Sequence, residues 1–333
     1  MSRMKKVVVT AFGDESVLAI QQADLPDPSS GEVQLSVEYT IVCGADVNMR
    51  RGTYPFGRKA PLTPGYSVIG TVRANGQGSA KFRVGDRVAC LTIYEGQAEL
   101  VNLPEKFLIP VPDGLDLKAA VVLILDWTTA YQMLEHAAKV QPGQRIFVHA
   151  LSGAVGGAVL RLARLKGVEV YGTASAKKHA ELRELGAIPF DYSNTDWIAA
   201  MQQLGGVDAA FDPMGYESFD QSYSILRKGG IGVCYALNLP AWTHQPQRPM
   251  VPEVMRIILK GFFFWTGKRT TFYYIDRKSK SFAPDLEHLF ALLKEGKIDP
   301  PIKGIFTLDQ IQDAHREYAS SSRAGSVVIT VNP

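Results

Sequence analysis

Cysteine is scarce in this sequence. Its 333 residues include three cysteines, Cys43, Cys90 and Cys234, widely spaced and odd in number. No disulfide framework and no C-x-x-C pair follows, and a reducing compartment, the cytoplasm, is expected. Long apolar runs are missing too. The longest, residues 119–125, has seven members, where a membrane-spanning helix needs roughly 20. No membrane span is expected. The N-terminal Val7-Val8-Val9 run is followed by Asp14 and Glu15 without a small-residue cleavage site, so it reads as a first strand rather than a signal peptide. Charge of one sign is not in excess: 36 basic against 33 acidic residues leaves +3, too little to imply a nucleic-acid partner. The G-x-S-x-G, H-E-x-x-H and G-x-x-x-x-G-K-[ST] motifs are absent, which removes the usual hydrolase elbow, zinc protease and nucleotide-triphosphate loop. Repeats and low-complexity tracts are also lacking.

What is present is ordinary globular material, 46% hydrophobic and 21% charged, long enough for about two domains. The first 120 residues are rich in short β-branched runs separated by Gly, Pro and Asp clusters such as residues 27–31 and 74–78. That spacing predicts an all-β domain. Near Leu123 the rhythm changes to strands alternating with helices, which predicts a parallel sheet covered on both faces. The last strand, residues 326–331, returns to the opening style. The fold class expected is therefore α/β: a discontinuous β-rich domain with a nucleotide-type α/β domain inserted in it.

The most informative stretch runs from Ile146 to Gly157, where a strand enters a glycine-bearing turn that opens a helix. Gly153 lets the backbone approach a pyrophosphate, and Gly156 lets the helix pack close to the strand. The N–H groups around Ser152, Gly153, Ala154 and Val155 then face the phosphates at the positive end of the helix. The pattern is A-x-x-G-x-x-G rather than G-x-G-x-x-G, so its strand–turn–helix context matters. A glycine turn with packing roles alone is the plain alternative. After the second strand an NAD site usually carries an acid for the ribose hydroxyls. Here the segment offers Ser175, Lys177 and Lys178 and no acid. A hydroxyl donor and positive charge suit a 2′-phosphate, so NADPH is the cofactor expected.

Taken together, the residues resemble the medium-chain dehydrogenase/reductase superfamily, and within it the zinc-free quinone oxidoreductase (zeta-crystallin-like) and enone reductase branch. The resemblance runs nearly end to end. It rests on residues 43–48, 51–55, 64–70, 84–88 and 128–131, the phosphate loop, residues 190–192, Gly229-Gly230 and residues 294–298. It implies a GroES-like catalytic domain over 1–123 and 277–333, a Rossmann domain over 124–276, and an active site in the cleft between them. Zinc alcohol dehydrogenases of this superfamily use a Cys and a Gly-His-Glu triplet. Here Cys43 holds the Cys position, but Tyr66 and Ser67 stand where His and Glu would be. A catalytic zinc needs three protein ligands, so no metal is expected and Cys43 reads as a pocket-lining residue beside Asn48. The remaining chemistry is hydride transfer from NADPH to an apolar electrophile, a quinone or the activated C=C of an α,β-unsaturated carbonyl.

Tyr54 and Tyr66 are the candidates to donate a hydrogen bond or proton to the nascent enolate. Tyrosine's ordinary pKa near 10 keeps it a donor at neutral pH. Water is the alternative proton source. By position the resemblance also assigns Tyr192 to the adenosine phosphate, Asn238 to the nicotinamide and Thr129 to its ribose. Phe263 and Trp265, in an unusually aromatic segment, read as a substrate wall, with core or dimer interface as the plain alternative. Residues 239–252, with four prolines, read as a long loop at the entrance. Arg323 and the serines before it read as closing over the cofactor. The resemblance implies a homodimer. Two other readings compete: a non-enzymatic NADPH-binding structural or redox-sensing protein of crystallin type, and a biosynthetic ene-reductase with one bulky substrate.

Overall fold

Val33, Leu35 and Val37 take alternate positions along the strand Glu32–Val42 and bury the same face. They meet Val68, Val72, Val88, Cys90, Val101 and Leu103 from neighbouring strands in one core, the period-2 pattern of a half-buried sheet. The computed structural model describes residues 2–243, 245–320 and 324–332. Its chain divides into two units, residues 1–128 with 276–333, and residues 129–275.

The first unit is built on a seven-stranded sheet. In spatial order its path is Ile302–Thr307, Ser326–Thr330, Glu32–Val42, Ser67–Asn75, Arg87–Leu91 and Ile109–Pro110, with Leu100–Pro104 also pairing Glu32–Val42. All neighbours are antiparallel except the first two strands, which are parallel. The strand Ser2–Val9 forms a hairpin with Leu18–Leu25. The all-β expectation for the first 120 residues needs correction, because a helix, Leu117–Val122, begins before residue 120 and Gly44–Arg51 is also a helix. Asp46 accepts a hydrogen bond from the Cys43 N–H at its start, and Gly52 ends it at φ +71. Its apolar residues, Ala45, Val47 and Met49, alternate with polar ones at the spacing of a strand, and the left-handed cap is a glycine's role.

The second unit is a six-stranded parallel sheet in the order Ala187–Asp191, Glu169–Ala174, Arg145–Val148, Val207–Asp212, Leu226–Cys234, Arg269–Phe272. Its central strands are buried on both faces, with Ile146, Phe147 and Val148 all fully enclosed. Such strands read as continuous apolar runs. Phe147 stacks on Trp197 at 4.7 Å and 27°. This is the Rossmann-type α/β arrangement expected. The segment 239–252 is not a long irregular loop. It holds a helical turn, Leu239–Trp242, and the start of the helix Met250–Lys260. Pro252 sits in the first turn of that helix, where a missing N–H costs nothing. His244 lies outside the described residues, as do Arg323 and the serines Ser321 and Ser322 before it.

Candidate functional site

The strand Arg145–Val148 delivers the chain to the glycine loop at the C-terminal edge of the parallel sheet. Ala150 adopts φ +53, and its carbonyl accepts from the Gly153 N–H at 2.9 Å. The Leu151 N–H donates to the Thr173 carbonyl at 2.9 Å. Gly153 caps the helix Ala154–Leu165 in an extended conformation. A Cβ on Gly156 would overlap the Ala150 carbonyl oxygen, so glycine is required there by close approach of helix and turn. The first N–H groups of the helix, on Ala154 and Val155, have no partners within it. They are joined at the turn by half-buried Ser152 and exposed Gly153.

Beneath the loop lies a polar chain that sequence reasoning missed. His149 Nδ1 is 2.9 Å from Thr173 Oγ1, and Nε2 is 3.0 Å from Ser222 Oγ. Ser222 and Ser218 both donate to Asp212 Oδ2, at 2.7 and 2.9 Å. Asp212 Oδ1 accepts the N–H groups of Met214 and Gly215. All four principal side chains are buried. Since the Ser222 hydrogen is committed to a carboxylate, His149 Nε2 carries the proton and Nδ1 accepts from Thr173. Burial lowers the His149 pKa against the opposing pull of Asp212. Serine, histidine and aspartate here have the wrong polarity for a nucleophile: the serine points at the acid, not the base. The chain instead ties three adjacent strands and the helix Tyr216–Ser224 together just below the loop.

Ser175 follows the strand Glu169–Ala174 and opens the turn holding Lys177 and Lys178. The Lys178 side chain is mostly enclosed, and its Nζ lies 3.8 Å from Glu181. Exposed Tyr192 follows the neighbouring strand, its N–H on the Ala174 carbonyl at 3.3 Å. Asn238 follows the strand Leu226–Cys234, its N–H on the Pro213 carbonyl at 3.1 Å. These residues and the glycine loop come from C-terminal strand ends of one sheet, where ligands of such sheets bind. Thr129 is buried at the start of the same unit, in the helix Thr128–Gln132.

In the first unit Tyr54 and Tyr66 meet. Their hydroxyls are 2.9 Å apart and their rings cross edge-on at 6.2 Å. Tyr66 is buried and Tyr54 half-buried. The Asn48 carbonyl accepts from the Thr53 and Tyr54 N–H groups at 2.9 and 3.1 Å, which fixes the turn carrying Tyr54. Asp46 joins this segment to the one carrying Tyr66. Its carboxylate accepts from Cys43 N–H at 3.0 Å and Gly65 N–H at 2.9 Å. Burial raises the Asp46 carboxyl to about 6, those two N–H groups opposing it. Cys43 is a buried free thiol, pushed up by burial and by Asp46 and Asp126. Phe263 and Trp265 belong to the second unit. They stack at 5.0 Å and 26° and are 43% and 69% exposed, which excludes a core role.

Two family descriptions match the chain: an alcohol dehydrogenase GroES-like domain over residues 29–113 and a zinc-binding dehydrogenase over residues 185–329. The chain belongs to the medium-chain dehydrogenase/reductase superfamily. The synaptic vesicle membrane protein VAT-1 homolog of Rattus norvegicus is 29% identical, covering 99% of this chain and 85% of that protein. The probable quinone oxidoreductase of Schizosaccharomyces pombe is 28% identical over 98% of this chain and 97% of its own. The structure of mycobacterial Rv1454c complexed with NADPH superposes with a TM-score of 0.83 at 27% identity, covering 98% and 99% of the two chains. Within the superfamily the chain falls in the quinone oxidoreductase branch.

One of the matching family descriptions is zinc-binding, so the donor set of this medium-chain oxidoreductase matters. Among the described residues no three His, Cys, Asp or Glu side chains gather where they could hold a metal ion. Cys43 has Tyr66 and Ser67, not His and Glu, at the other two positions. These residues do not fit a zinc ion. No helix among the described residues is long and apolar enough to cross a membrane.

Proposed function

We propose that this chain is an NADPH-dependent reductase that passes hydride, without a metal, to a quinone or to the activated C=C of an α,β-unsaturated carbonyl. The observation that carries this reading is the loop after Val148, whose turn at Ala150 leaves no room for a side chain on Gly156. Such a loop admits a pyrophosphate against bare backbone. Gly153 and the N–H groups of Ala154 and Val155 would hold the phosphates, helped by Ser152. Ser175 and Lys178 would take the 2′-phosphate, and Tyr192 the adenosine side. Asn238 would lie at the nicotinamide and Thr129 beside its ribose. When bound, NADPH supplies the hydride.

The chain's own contribution is orientation and a proton. When Tyr66 donates to Tyr54, the Tyr54 hydroxyl becomes a stronger donor toward an acceptor oxygen. Charge developing on that oxygen is then stabilised where it forms. Cys43 and Asn48 would line the pocket on the same side, and Phe263 and Trp265 would form an apolar wall. We further propose a cytoplasmic homodimer without nucleic-acid or membrane partners. Support comes from the three free, buried thiols and from the end position of Arg269–Phe272 in its sheet, beside exposed Val251, Met255 and Leu259.

The test mixes protein and NADPH with a panel of quinones and enones and follows absorbance of the reduced nicotinamide. Oxidation above background with at least one class, and a product identified by mass spectrometry, is the expected result. NADPH binding without turnover across the panel would overturn the enzymatic reading. Stoichiometric zinc in pure protein would overturn the metal-free one.

A further inference from the structure

Beside Tyr54 the first unit holds a recess of about 200 Å³, lined by Phe12, Met49, Gly52, Tyr54, Gly57, Arg58, Lys59 and Tyr94. Its walls are aromatic. Tyr54 and Tyr94 cross edge-on at 6.1 Å and 85°. The Phe12 ring lies on Gly52, where any Cβ would come within 2.7 Å of it. Gly52 is thus required both for its φ of +71 and for the seat it gives the ring.

The rim is cationic. Arg58 lies over the Tyr94 ring at 4.3 Å, and its guanidinium is neutralised by Glu95 at 2.9 Å. That pairing leaves Lys59 as the uncompensated charge. Among the described residues Lys59 has no carboxylate partner. Two large apolar side chains at this place are exposed, Phe12 by 47% and Phe56 by 90%. Phe56 sits in the same turn, held at φ +52. Strained, exposed aromatics around a recess are what a ligand-contact surface looks like before the ligand covers it.

We propose that this recess is a subsite for a planar aromatic ring bearing an anionic group. The ring rests against Phe12, Tyr54 and Tyr94, with the anion on Lys59. A cavity below the roughly 300–1,000 Å³ of a drug-sized site takes one part of a molecule, on the order of one or two fused rings. The edge-on tyrosines and the flat Phe12 face select a planar group. The lone ammonium selects an acidic substituent, carboxylate or sulfonate, over a neutral one. The recess shares the Tyr54 wall with the Tyr54–Tyr66 pair. This deepens the quinone or enone reading: it names the acceptor's anchoring end, and it rests on that reading only for what is reduced.

The test is direct binding to the full chain without cofactor, by titration calorimetry. Naphthalenesulfonate should bind about fivefold more tightly than uncharged naphthol, and the gap should close as salt rises. Lys59→Gln should remove the gap. Phe12→Ala should weaken both ligands by about tenfold or more, as loss of a buried aromatic contact requires. Equal wild-type affinities, or an unchanged gap in Lys59→Gln, would overturn the proposal. Lys59 is exposed, so that variant keeps its fold.

A second arm separates this subsite from the reductase reading. It uses NADPH with a sulfonated naphthoquinone and its uncharged parent. Selective naphthalenesulfonate binding, with neither quinone reduced and no turnover across the quinone and enone panel, keeps the subsite and ends the reductase reading. Both quinones reduced at equal kcat/KM, with no selective binding, ends the subsite and keeps the reductase.

Discussion

His149 and Ser222 share a 3.0 Å hydrogen bond in which the imidazole is the donor. The direction is set one step further on, where Ser222 gives its own hydrogen to Asp212 at 2.7 Å. One tautomer of His149 therefore satisfies Thr173, Ser222 and Asp212 at once. This buried chain sits at the point where the strand Arg145–Val148 turns into the glycine loop.

Ser222→Ala should strand the His149 Nε2–H and remove one of the two hydroxyl donors to Asp212. The unfolding free energy should fall by about 1–3 kcal/mol, the cost of buried groups left unpaired. Urea denaturation measures it, and wild-type stability would mean that the chain carries little of the fold.

Gly156→Ala should force the Ala150 peptide out of place, because the obstructing atom is backbone and cannot step aside. NADPH affinity should drop by about tenfold or more, in line with the dependence of phosphate sites on backbone approach. Gly143 is the control. It has φ +78 but open space around it, so Gly143→Ala should cost about 1–2 kcal/mol of stability and leave NADPH affinity alone.

Removal of either tyrosine hydroxyl should slow the proton-coupled step. Tyr54→Phe or Tyr66→Phe is expected to lower enone turnover by about tenfold or more in at least one case, within the range of general acid catalysis. If both variants turn over at the wild-type rate, water delivers the proton.

NADPH should bind far more tightly than NADH, through Ser175 and Lys178. Lys178→Glu should narrow that preference by about tenfold or more, since a charge-assisted phosphate contact is replaced by repulsion. Equal dissociation constants for the two cofactors in the wild type would remove the 2′-phosphate assignment.

Asp126 is buried in the wide turn Leu123–Trp127, and its carboxylate accepts from Ser326 Oγ at 2.7 Å. Burial raises its carboxyl to about 6, with Ser326 opposing and Asp46 adding. A folded-state pKa above the unfolded value favours folding at low pH, and that contribution is lost as pH rises through about 6. Asp126→Asn keeps an acceptor for Ser326 and has no charge to bury. It should stabilise the chain at about pH 8 by up to roughly 3 kcal/mol, and the gain should vanish near pH 4. Denaturant midpoints at the two pH values check the sign.

The fold class was readable in advance because its signals are local. Alternating Val33, Leu35 and Val37 report a half-buried sheet, and a strand followed by Gly153, Gly156 and a helix reports a phosphate-type turn. The helix Gly44–Arg51 escaped because its apolar residues, Ala45, Val47 and Met49, are spaced by two as in a strand, and its stabilising contacts come from Asp46 and Gly65. Met250–Lys260 escaped because its flanking prolines read as loop.

By itself the sequence determined the order of elements and the absence of the His-Glu pair that would complete a zinc site with Cys43. Both are written in neighbouring residues. Tertiary structure alone decided the pairings. Thr173, His149, Asp212 and Ser222 come together only through the register of three parallel strands and the helix after them. Tyr54 reaches Tyr66 only because Asp46 ties the two segments together. Asp126 finds Ser326 across 200 positions of chain. Hydrogen bonds are short-ranged and directional, so partners far apart in sequence have no local trace until packing sets their distance.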